Sequence, residues 1–179
     1  MKHILLACAA LIAAPLSAET IAITGGRVVI GDGTAPIENG TVVITNGRVV
    51  SAGANVVVPA GASRVDAKGK WVTPGIVAGF TRLGLVGVDG VRPSNDTEAR
   101  TSPFNASLDI APAINPDVAA IAVNRAAGVT RAIVSPDAGN AIFGGQGVVI
   151  DTGNDMSAVT NSKLFQFVEF GETGARIAG

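Results

Sequence analysis

The amino-acid sequence predicts a mixed fold in which a small β-structure precedes an α/β unit. Between residues 21 and 71, short runs rich in valine and isoleucine alternate with glycine-containing turns, as is typical of strands joined by tight connections. After residue 71 a strand, a polar loop, a helix and a second apolar strand follow, which indicates a parallel α/β unit with a covered sheet. We therefore expect a small antiparallel sheet or β-sandwich over residues 19–71 and a second unit over residues 72–179.

A leader sequence is predicted before the first strand. Lys2 and His3 precede an apolar run at residues 4–14, and small residues follow that run. This pattern indicates a secretory signal peptide over residues 1–18, because the apolar run is too short to span a bilayer. A second interpretation is a lipoprotein acylation box that ends at Cys8. With the signal peptide cleaved, we expect a periplasmic or secreted protein with no membrane attachment.

The composition limits which catalytic and metal-binding side chains the mature chain can contain. The single cysteine, Cys8, and the single histidine, His3, both lie in the predicted leader. The mature chain would therefore contain no disulfide, no thiolate nucleophile and no histidine to act as a metal ligand or general base. The 13 basic residues are scattered among 14 acidic ones, which argues against a nucleic-acid partner. A small molecule is the expected partner, and the oligomeric state is left open.

The clearest local pattern in the first unit is the dipeptide Asn46-Gly47, which separates two runs of strand length. Both residues tolerate positive φ, so a two-residue hairpin turn is predicted there. The runs of strand length are residues 21–23, 27–30, 41–45, 48–52 and 63–66.

In the second unit, a buried strand is expected to end near Phe80. The ring of Phe80 and that of Trp71, the last residue of the first unit, are both predicted to lie in the core. A helix is predicted from Pro116, since proline suits the first helical position and Asn115 is a good cap. The glycine at residue 128 is expected to end this helix.

Two strands and a second helix complete the predicted elements. Residues 129–135 form a buried strand and residues 144–150 a further strand. A helix is predicted over residues 161–179, with Glu169 and Glu172 on a solvated face.

Several separate motifs occur in a fixed order along the chain. They are residues 23–28 (ITGGRV), 31–33 (GDG), 39–44 (NGTVVI), 47–49 (GRV), 66–70 (DAKGK), 72–75 (VTPG), 126–130 (AAGVT) and 144–150 (GGQGVVI). Their order and spacing resemble the N-terminal part of the amidohydrolase superfamily, particularly its imidazolonepropionase-like branch. The resemblance implies a small β-sandwich followed by a (β/α)8 TIM-type barrel. It also implies one or two divalent metals, such as zinc, whose bound water attacks a C–N bond.

The barrel implied by this resemblance is incomplete. A full barrel takes roughly 250 residues, whereas the region after the sandwich comprises residues 72–179. In the family, later strands bring a bridging lysine, two histidines and an aspartate, and none of these later strands is expected here. We therefore expect a truncated sequence or fragment that carries no cofactor of its own.

The first barrel strand departs from the family pattern. There the family has Pro-Gly, two hydrophobic residues and then Asp-Ala-His-x-His, whereas Phe80 and Arg82 occupy the two histidine positions in this chain. Ala78 replaces the carboxylate that usually precedes them. A phenyl ring offers no ligand atom and a guanidinium is a permanent cation, so no metal ligand and no catalytic residue is predicted here.

Four residues are candidate contacts for a small-molecule substrate or ligand. Arg82 suits a substrate carboxylate, although an internal ion pair is the favoured interpretation. Asp137 and Asn140 follow a barrel strand, where active-site loops lie, and Gln146 belongs to a glycine-rich segment suited to an anion. Ordinary turns are the simpler interpretation for these three. The carboxylates expected to pair with Arg82 are Asp89, Asp96 and Glu98.

Two functional classes follow from these features. In the first, the intact protein is a hydrolase of carbon–nitrogen bonds other than peptide bonds, with its metal held by residues beyond this chain. In the second, the protein is a metal-free, non-catalytic periplasmic binding or scaffold protein of amidohydrolase fold. The isolated chain is expected to be inactive in either class.

Overall fold

The computed structural model describes residues 19–153 and 156–179, so the predicted signal peptide lies outside the described residues. The chain divides into two compact units between Pro74 and Gly75. The first unit contains β1 (Thr20–Val28), β2 (Ile37–Thr45), β3 (Arg48–Gly53), β4 (Ser63–Asp66) and β5 (Trp71–Val72). The second contains β6 (Ile76–Thr81), α1 (Ala119–Ala126), β7 (Val129–Val134), β8 (Phe143–Asp151), β9 (Val159–Val168), α2 (Gly171–Ala178) and 3-10 turns at Arg92–Ser94 and Ala111–Ala113.

The five strands of the first unit form one mixed sheet in the order β3-β2-β1-β4, with β5 also paired to β1. The β1–β2 and β2–β3 pairs are antiparallel, but β4 and β5 run parallel to β1, which the sequence did not predict. The predicted hairpin turn is confirmed, because Asn46 and Gly47 both have positive φ, of 51° and 73°. Buried residues of this unit include Ala22, Val28 and Val43.

The second unit is a four-stranded sheet in the order β6-β7-β8-β9. β6 and β7 are parallel, as predicted, whereas β8 pairs antiparallel with both of its neighbours. The core of this unit joins α1 to the sheet, and it contains Leu85, Ile110, Val118, Ile121, Ala132, Val134, Val148, Ile150 and Ala158. The observed fold is thus mixed and rich in sheet, with few helices. No helix among the described residues is long and apolar enough to cross a membrane.

The helix predicted from Pro116 begins later, at Ala119. The Oδ1 atom of Asn115 accepts a hydrogen bond from the backbone N–H of Asp117, at 2.9 Å. This bond closes a local turn instead of capping a helix. Val118 then remains extended, with ψ of 135°, so the first helical turn cannot start before it.

The helix predicted over residues 161–179 is wrong in its first half, which forms β9 instead. Phe165 pairs with Gly147, and a Cβ atom on Gly147 would lie 2.0 Å from the Phe165 ring. The aromatic residues of this segment therefore cover the glycine-rich strand β8. The helical stretch is α2 alone, so Glu169 lies outside it, and the proposed pair of Glu169 and Glu172 on one helical face does not form.

Trp71 and Phe80 do not lie in the core, because their exposed fractions are 58% and 64%. The ring of Trp71 instead packs against the guanidinium of Arg27, whose Cζ atom is 4.5 Å from the ring centroid. Arg27 Nε also pairs with Glu38 at 2.6 Å. The face of the Trp71 ring therefore contacts a cation and not the aliphatic side chains that a core position would provide.

The core position of α1 gives a stability prediction. Ile121 is 1% exposed and Val123, on the same helix, is 67% exposed. Ile121→Ala should lower the free energy of unfolding by about 2–5 kcal/mol because it leaves a cavity, whereas Val123→Ala should change it by less than about 0.5 kcal/mol. Urea unfolding followed by circular dichroism measures both values. Equal losses for the two variants would show that α1 does not pack through Ile121.

A surface turn in the first unit gives a prediction about pH. Asp32 accepts hydrogen bonds from the hydroxyl and the backbone N–H of Thr34, at 2.6 and 3.0 Å, and these bonds lower the pKa of Asp32. Their stabilising effect is therefore present above the unfolded-state pKa and is lost as pH falls through the folded-state pKa. Thr34→Val should raise the pKa of Asp32 in an NMR titration, and Thr34→Ser should keep it low. A Val variant with an unchanged pKa would be contrary to this assignment.

Candidate functional site

The parallel pairing of β6 and β7 brings two short segments together at one edge of the second sheet. Thr81 is the register partner of Val134, so the residues that follow the two strands lie side by side. Arg82 comes directly after β6, Ser135 comes directly after β7, and Asp137 follows two residues later. This edge is where the carboxyl ends of parallel strands present functional groups in α/β folds.

The Arg82 guanidinium is bound by groups from both strand ends. Its Nε donates to Asp137 Oδ1 at 2.8 Å, and its Nη2 donates to the same oxygen. Its Nη1 donates to the hydroxyl of Ser135 and to the carbonyl of Thr81, the latter at 3.4 Å. The side chains of Arg82 and Asp137 are 25% and 45% exposed, so this ion pair is only partly screened by solvent.

Two phenyl rings complete the surroundings of the guanidinium. The Cζ atom of Arg82 lies 4.9 Å from the ring centroid of Phe80 and 5.5 Å from that of Phe167. The two ring centroids are 6.0 Å apart, with planes inclined by 39°. The two distances from Arg82 Cζ to the ring centroids are within the range of cation–π attraction. Phe80, Arg82, Ser135, Asp137 and Phe167 are called the Arg82 cluster below.

The donor set of the Arg82 cluster does not fit a divalent metal. Phe80 has no ligand atom, Arg82 is a cation, and the carboxylate of Asp137 already accepts two of its N–H groups. Among the described residues, no group of three or more His, Cys, Asp or Glu side chains could hold a metal ion. The Arg82 cluster therefore offers no binding site for a divalent metal.

The ion pair favoured for Arg82 is present, but its partner differs from the three carboxylates expected. Asp137, 55 positions away, binds Arg82, whereas Glu98 pairs with Arg100 at 2.5 Å. The carboxylates nearer in sequence belong to the crossover loop, while the parallel register places Asp137 directly beside the end of β6.

Asn140 and Gln146 occupy different places. Asn140 lines a cleft of about 130 Å³ together with Asp137, and its Nδ2 donates to the carbonyl of Arg100 at 3.4 Å. Gln146 lies within β8 opposite Gln166, and its backbone N–H donates to Leu108 at 2.6 Å. Within the described part of the chain, no hydrogen bond joins the side chain of Gln146 to the Arg82 cluster. The structure thus pairs Arg82 with Asp137, places Asn140 in the same cleft as Asp137, and leaves Gln146 apart.

Comparison with solved structures identifies a related fold. An amidohydrolase from Thermotoga maritima MSB8 matches with a TM-score of 0.77 and 27% sequence identity, over 89% of this chain. The resemblance to the amidohydrolase superfamily is therefore confirmed. The match covers 41% of that protein, so this chain spans less than half of its length.

Other similarities are shorter. A molinate hydrolase is 38% identical over 39% of this chain and 15% of its own, with a TM-score of 0.34. A prolidase complexed with N-methylphosphonate-L-proline is 24% identical over 39% of this chain and 17% of its own, with a TM-score of 0.34. No family model and no curated protein matches the sequence.

Two members of the Arg82 cluster, Ser135 and Phe167, are not among the candidate site residues predicted from the sequence. Ser135 is fully buried and was counted only as the last residue of a strand. Its position directly after a predicted buried strand was a usable indication, because residues at the ends of parallel strands line functional edges. Phe167 was assigned to a helix, and its alternation with Phe165 was the pattern that could have revealed a strand.

The cation–π contact of Phe80 gives a prediction with a matched control. Phe80 and Phe104 are 64% and 65% exposed, but of these two rings only Phe80 has a cation–π contact described with a guanidinium. Phe80→Leu should therefore destabilise the fold by about 0.5–1 kcal/mol, and Phe104→Leu should have an effect below about 0.5 kcal/mol. Chemical denaturation measures both, and indistinguishable values would remove the cation–π contact as a stabilising interaction.

Proposed function

We propose that the full-length protein is an exported amidohydrolase-like hydrolase that cleaves carbon–nitrogen bonds other than peptide bonds in a small-molecule substrate. The observation that carries this proposal is the structural match to an amidohydrolase over 89% of this chain. Export is supported by the sequence pattern of residues 1–18. Because a fold alone does not fix an activity, the proposal depends on residues at the strand ends.

Of the strand ends described here, the segment after β7 contributes binding groups in this proposal, and neither strand end contributes a metal ligand. Arg82 and Asp137 form an ion pair at the edge where a substrate would lie, and Asn140 lines the neighbouring cleft. A divalent metal such as zinc would be held by residues outside this chain, and it would supply the activated water. The chain by itself is then expected to be inactive.

A second candidate function is favoured by the Arg82 cluster. A guanidinium held by a carboxylate, a hydroxyl and two phenyl rings is a complete structural unit that requires no metal. In this alternative the protein is a metal-free periplasmic binding or scaffold protein that keeps the amidohydrolase fold. The two candidates differ in metal content and in turnover.

The deciding experiment is elemental analysis of the full-length protein after extensive dialysis, together with a hydrolysis screen on small amides and cyclic ureas. The hydrolase proposal expects stoichiometric metal and turnover that is lost on chelation and restored by zinc. Re-addition of zinc to the chelated protein controls for damage during metal removal. A folded protein that contains no metal and hydrolyses none of these compounds would replace the hydrolase proposal with the binding protein.

A further inference from the structure

The cleft beside the Arg82 cluster is formed by two loops. One side belongs to residues 99–108. The other belongs to residues 137–144, which comprise the later part of the connection between β7 and β8 and the first two residues of β8. The lining groups include the side chains of Arg100 and Asn140 and the exposed ring of Phe104. The shape of this cleft therefore depends on where the connection between β7 and β8 is held.

The connection is fixed at both of its ends. At its start, Asp137 binds Arg82 through its carboxylate, and its backbone N–H donates to the carbonyl of Thr97 at 2.7 Å. Near its end, a Cβ atom on Gly144 would lie 2.7 Å from the Asp137 carbonyl, so the two ends of the connection are in close contact. Between these ends, the bond from Asn140 to Arg100 is long, at 3.4 Å.

The charged bonds to Asp137 are the strongest interactions among those that hold this loop. Hydrogen bonds between ionised partners are roughly twice as strong as neutral ones. Without Arg82, the carboxylate of Asp137, which is 45% exposed, would turn towards water and draw the start of the loop with it.

We propose that Arg82 is a positioning residue for the cleft, and that it acts through Asp137 without touching the bound molecule. It ties the end of β6 to the start of the loop at residues 137–144, so a loop that lines the cleft is set by a side chain from another strand. This role does not depend on hydrolysis, and it holds equally for an enzyme and for a binding protein.

Hydrogen–deuterium exchange on the full-length protein tests the proposal. In Arg82→Gln the backbone amides of residues 137–144 should exchange about tenfold faster, an effect between those of exposed and buried ion pairs. Arg82→Lys, which keeps the charge but not the planar fork, should give a smaller increase. In Arg82→Gly, added methylguanidinium should slow the exchange again, whereas uncharged N-methylurea should not.

Arg125→Gln is the matched control, because Arg125 also binds across the unit but to the carbonyls of Thr152 and Gly153. It should leave exchange at residues 137–144 unchanged. Unchanged exchange in Arg82→Gln would overturn the proposal. Equal rescue by methylguanidinium and N-methylurea would also overturn it, since filling a cavity would then be sufficient.

Discussion

The parallel pairing of β6 with β7 is the constraint on which the second unit depends. The pairing begins where Gly75 passes Thr130, and a Cβ atom on Gly75 would lie 2.1 Å from that side chain. A glycine is therefore needed for the two strands to start side by side. Because parallel strands require a long crossover, the chain between them must be packed on the sheet, and α1 provides this packing through Ile121. The same register determines which side chains meet where the strands end.

The Arg82 cluster follows from that register together with the cost of removing a charge from water. A guanidinium that is 25% exposed needs partners for its N–H groups, and the end of β7 supplies a carboxylate and a hydroxyl. Phe80 and Phe167 both lie within cation–π distance of the guanidinium, whose N–H groups remain free to donate. Among the described residues, no buried side-chain N or O atom lacks a hydrogen-bond partner. The cluster is consequently a satisfied polar unit within a sheet-rich fold.

What the sequence could predict was governed by local chemistry. The Asn46-Gly47 turn and the buried strand β7 were predicted correctly, since positive φ and a run of branched apolar residues act within a few positions. The strand β9 was not predicted because it forms by pairing with β8. In that pairing the ring of Phe165 packs over Gly147, a contact that local sequence does not reveal. The partner of Arg82 was missed for a similar reason. The carboxylates predicted to pair with it lie in the loop after β6, whereas the pairing of β6 with β7 places Asp137 beside Arg82.

The similarity of the fold does not extend to the residues at the end of β6. The backbone arrangement of an amidohydrolase is kept at 27% identity, yet the two positions at which the resemblance implies metal ligands hold a phenyl ring and a guanidinium. At this strand edge the carboxylate of Asp137 is paired with the positive charge of the Arg82 side chain. A cation fixed at this place would repel a divalent metal brought close to it. A divalent metal near this strand edge would therefore need ligands from residues outside the Arg82 cluster, at a greater distance from the guanidinium.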